Sequence, residues 1–286
     1  MKRTAIRNLP FRRGDALHLG FEMFRLGELF DRAERNALDH DLDVPQRPEF
    51  HTIYVGTRGR GKLVVDFTPV ALGAGVLTFV ARGRVQQFVV DRGVDAWMLL
   101  FAPERVDNHQ VLGPAWAEPA LAIPKAEHAA VAHVVELLAG EHARPPSQLQ
   151  PAIFDSLLRV LLLQADRLLA GRVDPLPAAL ERFFTILEAD HARTRSVAHY
   201  AREAGVSKRR LGELLAERTG KSTKEIIDER VILEAKRLLA HTDLTVKELS
   251  ARLAFDEPTN FVKFFRHRTG QTPLDFRTFL PSRRRS

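Results

Sequence analysis

AREAGVSKRRLGELLAERTG, residues 201–220, and SARLAFDEPTNFVKFFRHRTG, residues 250–270, are one pattern written twice. Ala201 aligns with Ser250, Gly205 with Ala254 and Val206 with Phe255 at an offset of 49. Leu211 with Phe261, Leu214 with Phe264, Leu215 with Phe265, Arg218 with Arg268 and Gly220 with Gly270 lie at 50, so the second turn is one residue longer. A small residue, a turn residue and then apolar residues at helical spacing are what a helix-turn-helix needs. The small residue lets two helices approach, the turn makes a sharp corner, and the apolar side chains lock the second helix at a fixed angle. The opposite face of that second helix is left for a ligand.

The surrounding residues extend this helical reading. Leu180, Phe183, Phe184 and Leu187 start one helix, Val197 to Ala204 form a second, and Lys208 to Thr219 a third. Ser222 with Glu225, and Thr245 with Glu248, are capping boxes. The first opens a helix whose apolar positions Ile226, Ile227, Val231, Leu233, Leu238 and Leu239 run to about His241, and the second opens one that ends near Leu253. A further helix is expected from about Pro258 to Thr269. A helix of about 20 residues between the two repeats spans about 30 Å, close to the roughly 34 Å of one DNA turn. Two reading helices could therefore enter successive major-groove segments.

Charge favours the same partner. The chain has 286 residues and a formal charge of +7, yet residues 1–177 hold 21 basic and 21 acidic side chains while residues 178–286 hold 22 and 15. The whole excess lies in the repeated half, as expected of a domain that meets a polyanion. With no cysteine, disulfides, thiolate catalysis and cysteine-ligated metals are excluded. No apolar run approaches a membrane span, no secretory leader is read at the amino terminus, and a cytoplasmic protein is expected.

The neutral half reads differently. Short strand-like runs such as FHTIYVGT, GKLVVDF, GVLTFV, VQQFVV and DAWMLLF, with alternation in Leu63, Val65, Phe67 and in Trp97, Leu99, Phe101, predict an antiparallel sandwich or barrel. After Pro124 the period changes. Ala130, Val131, Val134, Val135, Leu137 and Leu138 mark a helix expected to stop at Gly140, and a second opens at Pro151 and carries Ile153, Phe154, Leu157, Leu158, Leu161, Leu162, Leu168 and Leu169 to Gly171. Helices this apolar need a partner, either their own sheet or a second copy of the chain. GRVDPLPAA, with Pro175 and Pro177, reads as a linker, giving an α+β chain of two domains, 1–173 and 178–286.

The segment LSARLAFDEPTNFVKFFRHRTGQTPLDFR resembles the signature of the AraC/XylS transcription regulators, and RVILEAKRLLAHTDLTV resembles the helix joining that family's two helix-turn-helix units. The resemblance covers about 100 residues. It implies a cupin-like β-barrel in the first domain that binds a small-molecule effector and dimerises, promoter DNA as the partner of the second, and RNA polymerase as a further partner of an activator. Two departures stand out. Ala254 replaces the family's usual glycine, keeping the small size that close packing needs, and Asn260 replaces an aromatic residue, which changes the surface and with it the base preference.

The expected DNA contacts are Lys208, Arg209, Arg210, Gly212 and Glu213 in the first unit and Thr259, Asn260, Lys263 and Arg266 in the second. Arginine suits guanine through two parallel hydrogen bonds, Glu213 could accept from cytosine, and Asn260 could pair with adenine; phosphate contact is the commoner use of such basic residues. His51, Tyr54 and Trp97 are the candidates for an effector pocket. TGKS at 219–222 is no phosphate loop, because Leu215 stands where the first glycine is needed. A metal-dependent cupin would cluster histidines, but His51 stands alone and Gln86 occupies the second motif's place, so no metal, cofactor or catalytic residue is expected. The reading is a transcription regulator and not an enzyme. Two alternatives stay open: a cupin-type enzyme with an accessory DNA-binding tail, which requires metal, and a nucleoid-type protein, which would lack a specificity ratio of about 10³.

Overall fold

The structure is a computed structural model that describes residues 7–9, 20–35, 42, 44–89, 93–102, 105, 120–169 and 177–279. The chain divides into two units, residues 6–175 and residues 176–286. The expected helix end at Gly171 and most of the linker lie outside the described residues.

The first unit is built of two five-stranded sheets. β1 (Arg7–Leu9), β3 (Gln46–Pro48), β8 (Gln86–Val89), β5 (Arg60–Val65) and β6 (Thr68–Gly73) form one in that order; β10 (Ala120–Ala122), β7 (Val76–Val80), β4 (His51–Arg58), β9 (Asp95–Phe101) and β2 (Phe21–Arg25) form the other. All ladders are antiparallel except β1 with β3. β4 lies inside the second sheet, with Ile53 opposite Phe79 on one side and Leu99 on the other. Side chains alternate across this sheet. One face carries Phe24, Tyr54, Met98 and Leu100, which pack against Leu63, Val65, Leu72 and Phe88 of the first sheet. The other face carries Phe21, Ile53, Val55, Leu77, Phe79, Leu99 and Phe101, buried beneath two helices, α2 (His128–His142) and α3 (Gln150–Leu169).

The two apolar helices therefore find a partner in their own unit. Val131, Val134, Val135 and Leu138 of α2 and Phe154, Leu158, Leu161, Leu162 and Ala165 of α3 enter this core. Leu137, Ile153, Val160 and Leu163 stay on the outside. Gly140 does not stop α2, which runs on to His142, because an exposed glycine inside a packed helix weakens it without breaking its hydrogen bonds. A helix not read from the sequence, α1 (Leu26–Glu34), follows β2; Asp95 accepts from Gly27 N at its start, and Leu26 and Leu29 are buried.

The antiparallel architecture is as expected, but the strands form two separate ladders and no closed barrel. Where β6 leaves the first sheet and β7 enters the second, the sheets meet backbone to backbone. A Cβ on Gly56 would lie 1.6 Å from the Gly73 carbonyl oxygen, and one on Gly73 would lie 2.4 Å from that of Gly59. Thr78 Oγ1 donates to Ala71 O across the same corner at 2.7 Å. Only side-chain-free residues permit this approach.

The second unit is helical: α4 (Ala178–Asp190), α5 (Val197–Glu203), α6 (Lys208–Thr219), α7 (Thr223–His241), α8 (Val246–Arg252), α9 (Pro258–Thr269) and α10 (Pro273–Phe279). It holds two cores. Leu180, Phe183, Leu187, Tyr200, Leu211, Leu215, Ile226 and Ile227 make the first, and Val231, Leu238, Leu239, Leu249, Leu253, Phe255, Phe261 and Phe265 the second. Among the described residues no helix is long and apolar enough to cross a membrane.

The glycine corner generates a test. Gly56→Ala places a methyl inside a backbone carbonyl's volume and should destabilise the first unit by more than about 4 kcal/mol. Circular dichroism should then show loss of β signal with the helical unit's transition retained; an unchanged melting profile would contradict the corner.

Candidate nucleic-acid interface

Each helix-turn-helix is made by the same local chemistry. α5 and α8 have seven residues each, and α6 and α9 have twelve. In the first turn Val206 N donates to Ala201 O and Gly205 stands at φ +73°; in the second Phe255 N donates to Ser250 O and Ala254 stands at φ +52°. A six-to-one hydrogen bond closed over a left-handed residue is a Schellman ending, and the apolar residue after it plugs the core. The residue pairs aligned at an offset of 49 are thus the acceptor, the left-handed residue and the plug.

Ala254 is not held small by close packing, contrary to the expectation from sequence. Its side chain is exposed; the small residues buried between the helices are Ala201 and Ser250. Position 254 is constrained by its backbone, where glycine is the unstrained choice and alanine costs about 1 kcal/mol.

After the turn the two helices start differently. Ser207 caps α6, accepting from Arg210 N at 3.1 Å, whereas Glu257 gives no side-chain cap and Pro258 opens α9 with no N–H to satisfy. Both helices end on left-handed glycines, Gly220 and Gly270. The repeat continues beyond these glycines into α7 and α10. Ser222 and Glu225 cap α7 reciprocally, and Thr272 and Asp275 do the same for α10, which was not foreseen. The signal was present in RTGKSTKE against RTGQTPLD. Hydrogen bonds from the hydroxyl and backbone of the cap hold the Glu225, Glu248 and Asp275 carboxyls below the usual carboxylate range.

Leu211, Leu214 and Leu215 of α6 and Phe261 and Phe265 of α9 point inward. Lys208, Arg209, Arg210, Glu213, Thr259, Asn260, Lys263 and Arg266 are exposed, and Gly212 is half-buried. At an offset of 50, Arg209, Arg210 and Glu213 correspond to Thr259, Asn260 and Lys263, so equivalent outward positions carry unlike chemistry. Ala216 and Glu217, equivalent to Arg266 and His267, share the same exposed side of α6 and were not named from the sequence. Arg209 bonds Glu213 at 3.0 Å and Arg210 approaches it at 3.5 Å, with the Arg209 side chain 87% exposed. Exposed pairs of this kind contribute about 0 to 1 kcal/mol, so the guanidinium groups can be redirected at little cost.

The three effector candidates are not brought together. Tyr54 lies between the sheets, fully buried, its hydroxyl donating to Gln86 Oε1 at 2.9 Å, and burial pushes its phenol well above the usual range. His51 and Trp97 lie on the opposite, helix-covered face. The His51 ring packs against Phe79 and Phe101, its Nδ1 accepts from Arg82 N, and burial and the Arg82 charge push it down to about 4. Trp97 sits beneath the Arg25 guanidinium, which also pairs with Asp95. Alternation by two along β4 separates His51 from Tyr54, which was legible in the sequence, whereas Trp97 joins the His51 face through the β4–β9 register, which was not. Among the described residues no three of His, Asp and Glu gather as metal ligands.

The family model described as a helix-turn-helix domain matches residues 200–278. Both turns and both exposed helices, α6 and α9, fall inside that match. The chain is similar to the HTH-type transcriptional activator RhaR of Escherichia coli strain K12, 21% identical over 251 residues that cover 83% of this chain and 88% of RhaR. The enzyme alternative finds no support among these relatives. Among solved structures, ToxT from Vibrio cholerae O395 is 12% identical with a TM-score of 0.41, covering 92% of this chain and 99% of ToxT. The DNA-binding domain of the global transcriptional factor AdpA, in complex with a target DNA, is 27% identical with a TM-score of 0.33, covering 35% of this chain and 90% of that one.

The left-handed turn residues yield their own test. Ala254→Gly should stabilise the helical unit by up to about 1 kcal/mol, and Gly205→Ala should destabilise it by about the same amount. Denaturant melts of both variants read the two signs; a loss of stability in Ala254→Gly would contradict the strained corner.

Proposed function

We propose that the chain is a sequence-specific transcription regulator that binds promoter DNA through α6 and α9. The carrying observation is that two exposed helices, placed at equivalent points of a repeat and joined by one helix, present polar and cationic side chains while their apolar faces are consumed by separate cores. That arrangement supports reading two adjacent DNA segments of different sequence, with Arg209, Arg210 and Glu213 on one and Thr259, Asn260 and Lys263 on the other, and with Lys208, Gly212 and Arg266 at their margins.

The first unit is assigned the control of this binding, through a small-molecule effector and self-association in a homodimer, with RNA polymerase as a further partner of an activator. Of the three effector candidates, Tyr54 faces the space between the sheets, and a ligand there would exchange for its bond to Gln86. The proposed location is the cytoplasm, where promoter DNA is reached. No cofactor enters this function.

Arg209→Ala and Asn260→Ala should each weaken binding to a duplex selected from a random pool by about 1 to 3 kcal/mol while affecting random-sequence DNA less. Fluorescence anisotropy at several salt concentrations separates the two effects. Equal losses on both duplexes would reduce these side chains to phosphate contacts, and a wild-type preference far below about 10³ would point to a nucleoid-type protein.

A further inference from the structure

Arg195 belongs to neither helix-turn-helix. It lies between α4 and α5, directly before Ser196, the N-cap of α5. Its guanidinium nevertheless reaches the second helix-turn-helix, 3.5 Å from the centre of the Phe255 ring and 5.9 Å from that of Phe264. Phe255 is the plug of the second turn, packed edge-on against Phe261 at 5.3 Å and tilted against Phe264 at 5.1 Å. The negative charges of Asp228 on α7 and Asp256 in the turn act on the same guanidinium.

The repeat supplies an internal control. At the offset of 49 that relates the two turns, Arg195 corresponds to Leu244, the residue before the N-cap Thr245. Leu244 packs on the core of its own unit. A helix-turn-helix is thus satisfied by an aliphatic residue at this position, and the arginine serves something the single motif does not require. A second contact reaches α9 from α7: Asp228, 3% exposed, receives Arg268 Nη2 at 2.5 Å and Lys224 Nζ at 2.7 Å. Its counterpart at an offset of 50 is Thr278, so this contact too is absent from the repeat pattern.

We propose that Arg195 is a positioning residue that locks the second turn to the start of the first helix-turn-helix, fixing the separation of α6 and α9 and hence the spacing of the two DNA segments the chain accepts. The lock is a half-buried cation held over an aromatic face, an arrangement worth more than the same pair in open solvent. Because one added base pair rotates the distal segment by about 35°, a fixed pair of helices tolerates one spacing and a loose pair tolerates several. The DNA consequence rests on the proposed function; the locking does not.

The chain contains no cysteine, so Ala216→Cys on α6 and His267→Cys on α9 give two unique spin-label sites in the full chain, both exposed. Electron–electron double resonance should show one narrow distance distribution, about twofold broader in Arg195→Ala and kept narrow by Arg195→Lys, which restores the cation over the ring. If Arg195→Ala does not fold by circular dichroism, Arg195→Gln, which fills the space without the charge, carries the same expectation. On a duplex selected by the full chain, one inserted base pair between the protected segments should cost the wild type about tenfold or more in affinity and the uncharged variant less than about threefold. An unchanged distance distribution in the uncharged variant overturns the proposal, and so does a broadened one with the same spacing preference as wild type. If no duplex is selected, the DNA reading fails, and the distance measurement alone decides the locking.

Discussion

The second unit depends on α7 being shared by two cores. Its first two turns give Ile226 and Ile227 to the core that seats α6, and the rest gives Val231, Ile232, Ala235, Leu238 and Leu239 to the core that seats α9. Each fully buried side chain of this size is worth about 1.5 to 3 kcal/mol, so neither core can release the helix cheaply. Between the two sets lie charged residues that tie the helix to its neighbours. Arg230 grips both carboxylate oxygens of Glu188 on α4 at 2.9 Å, and Asp228 holds Arg268 on α9. A single helix of 19 residues, about 28 Å long, then links the orientation of α6 to that of α9.

Around that strut the repeat separates what must be constant from what can vary. The Schellman turns, the inward Leu or Phe triads and the glycine helix ends recur because they are conditions of folding. The outward residues do not recur, since nothing in the core constrains them, and this freedom lets two copies of one motif present unlike side chains. Asn260 shows the same freedom, since it stands on the exposed side of α9 and no core contact constrains it.

What was legible in the sequence follows from the range of the forces involved. Caps, turns and helical periods are set by residues within a few positions of one another, so the boxes at Ser222 and Thr245, the longer second turn and the limits of α6 and α9 could be read directly. Leu233, taken as apolar core, is only half-buried, because a helix flanked by two cores does not keep one stripe. The sheet order, in which β3 pairs β8 and β4 pairs β9, joins segments far apart in the chain and leaves no local mark. Of the proposed site, the exposed faces of both reading helices were legible from their periodicity. Arg195 was not, because its partner Phe255 is distant in sequence and only the fold brings them together. Ala254 was singled out for its departure from glycine, yet only the backbone angle showed that the constraint is conformational.

The central claim is that α6 and α9 face one duplex together, and hydroxyl-radical footprinting of the full chain on a selected duplex tests it most directly. The account predicts two protected patches about one helical turn apart on the same side of the DNA, unequal in sequence because the two helices carry different side chains. A single patch, or two patches on opposite sides of the duplex, would contradict it.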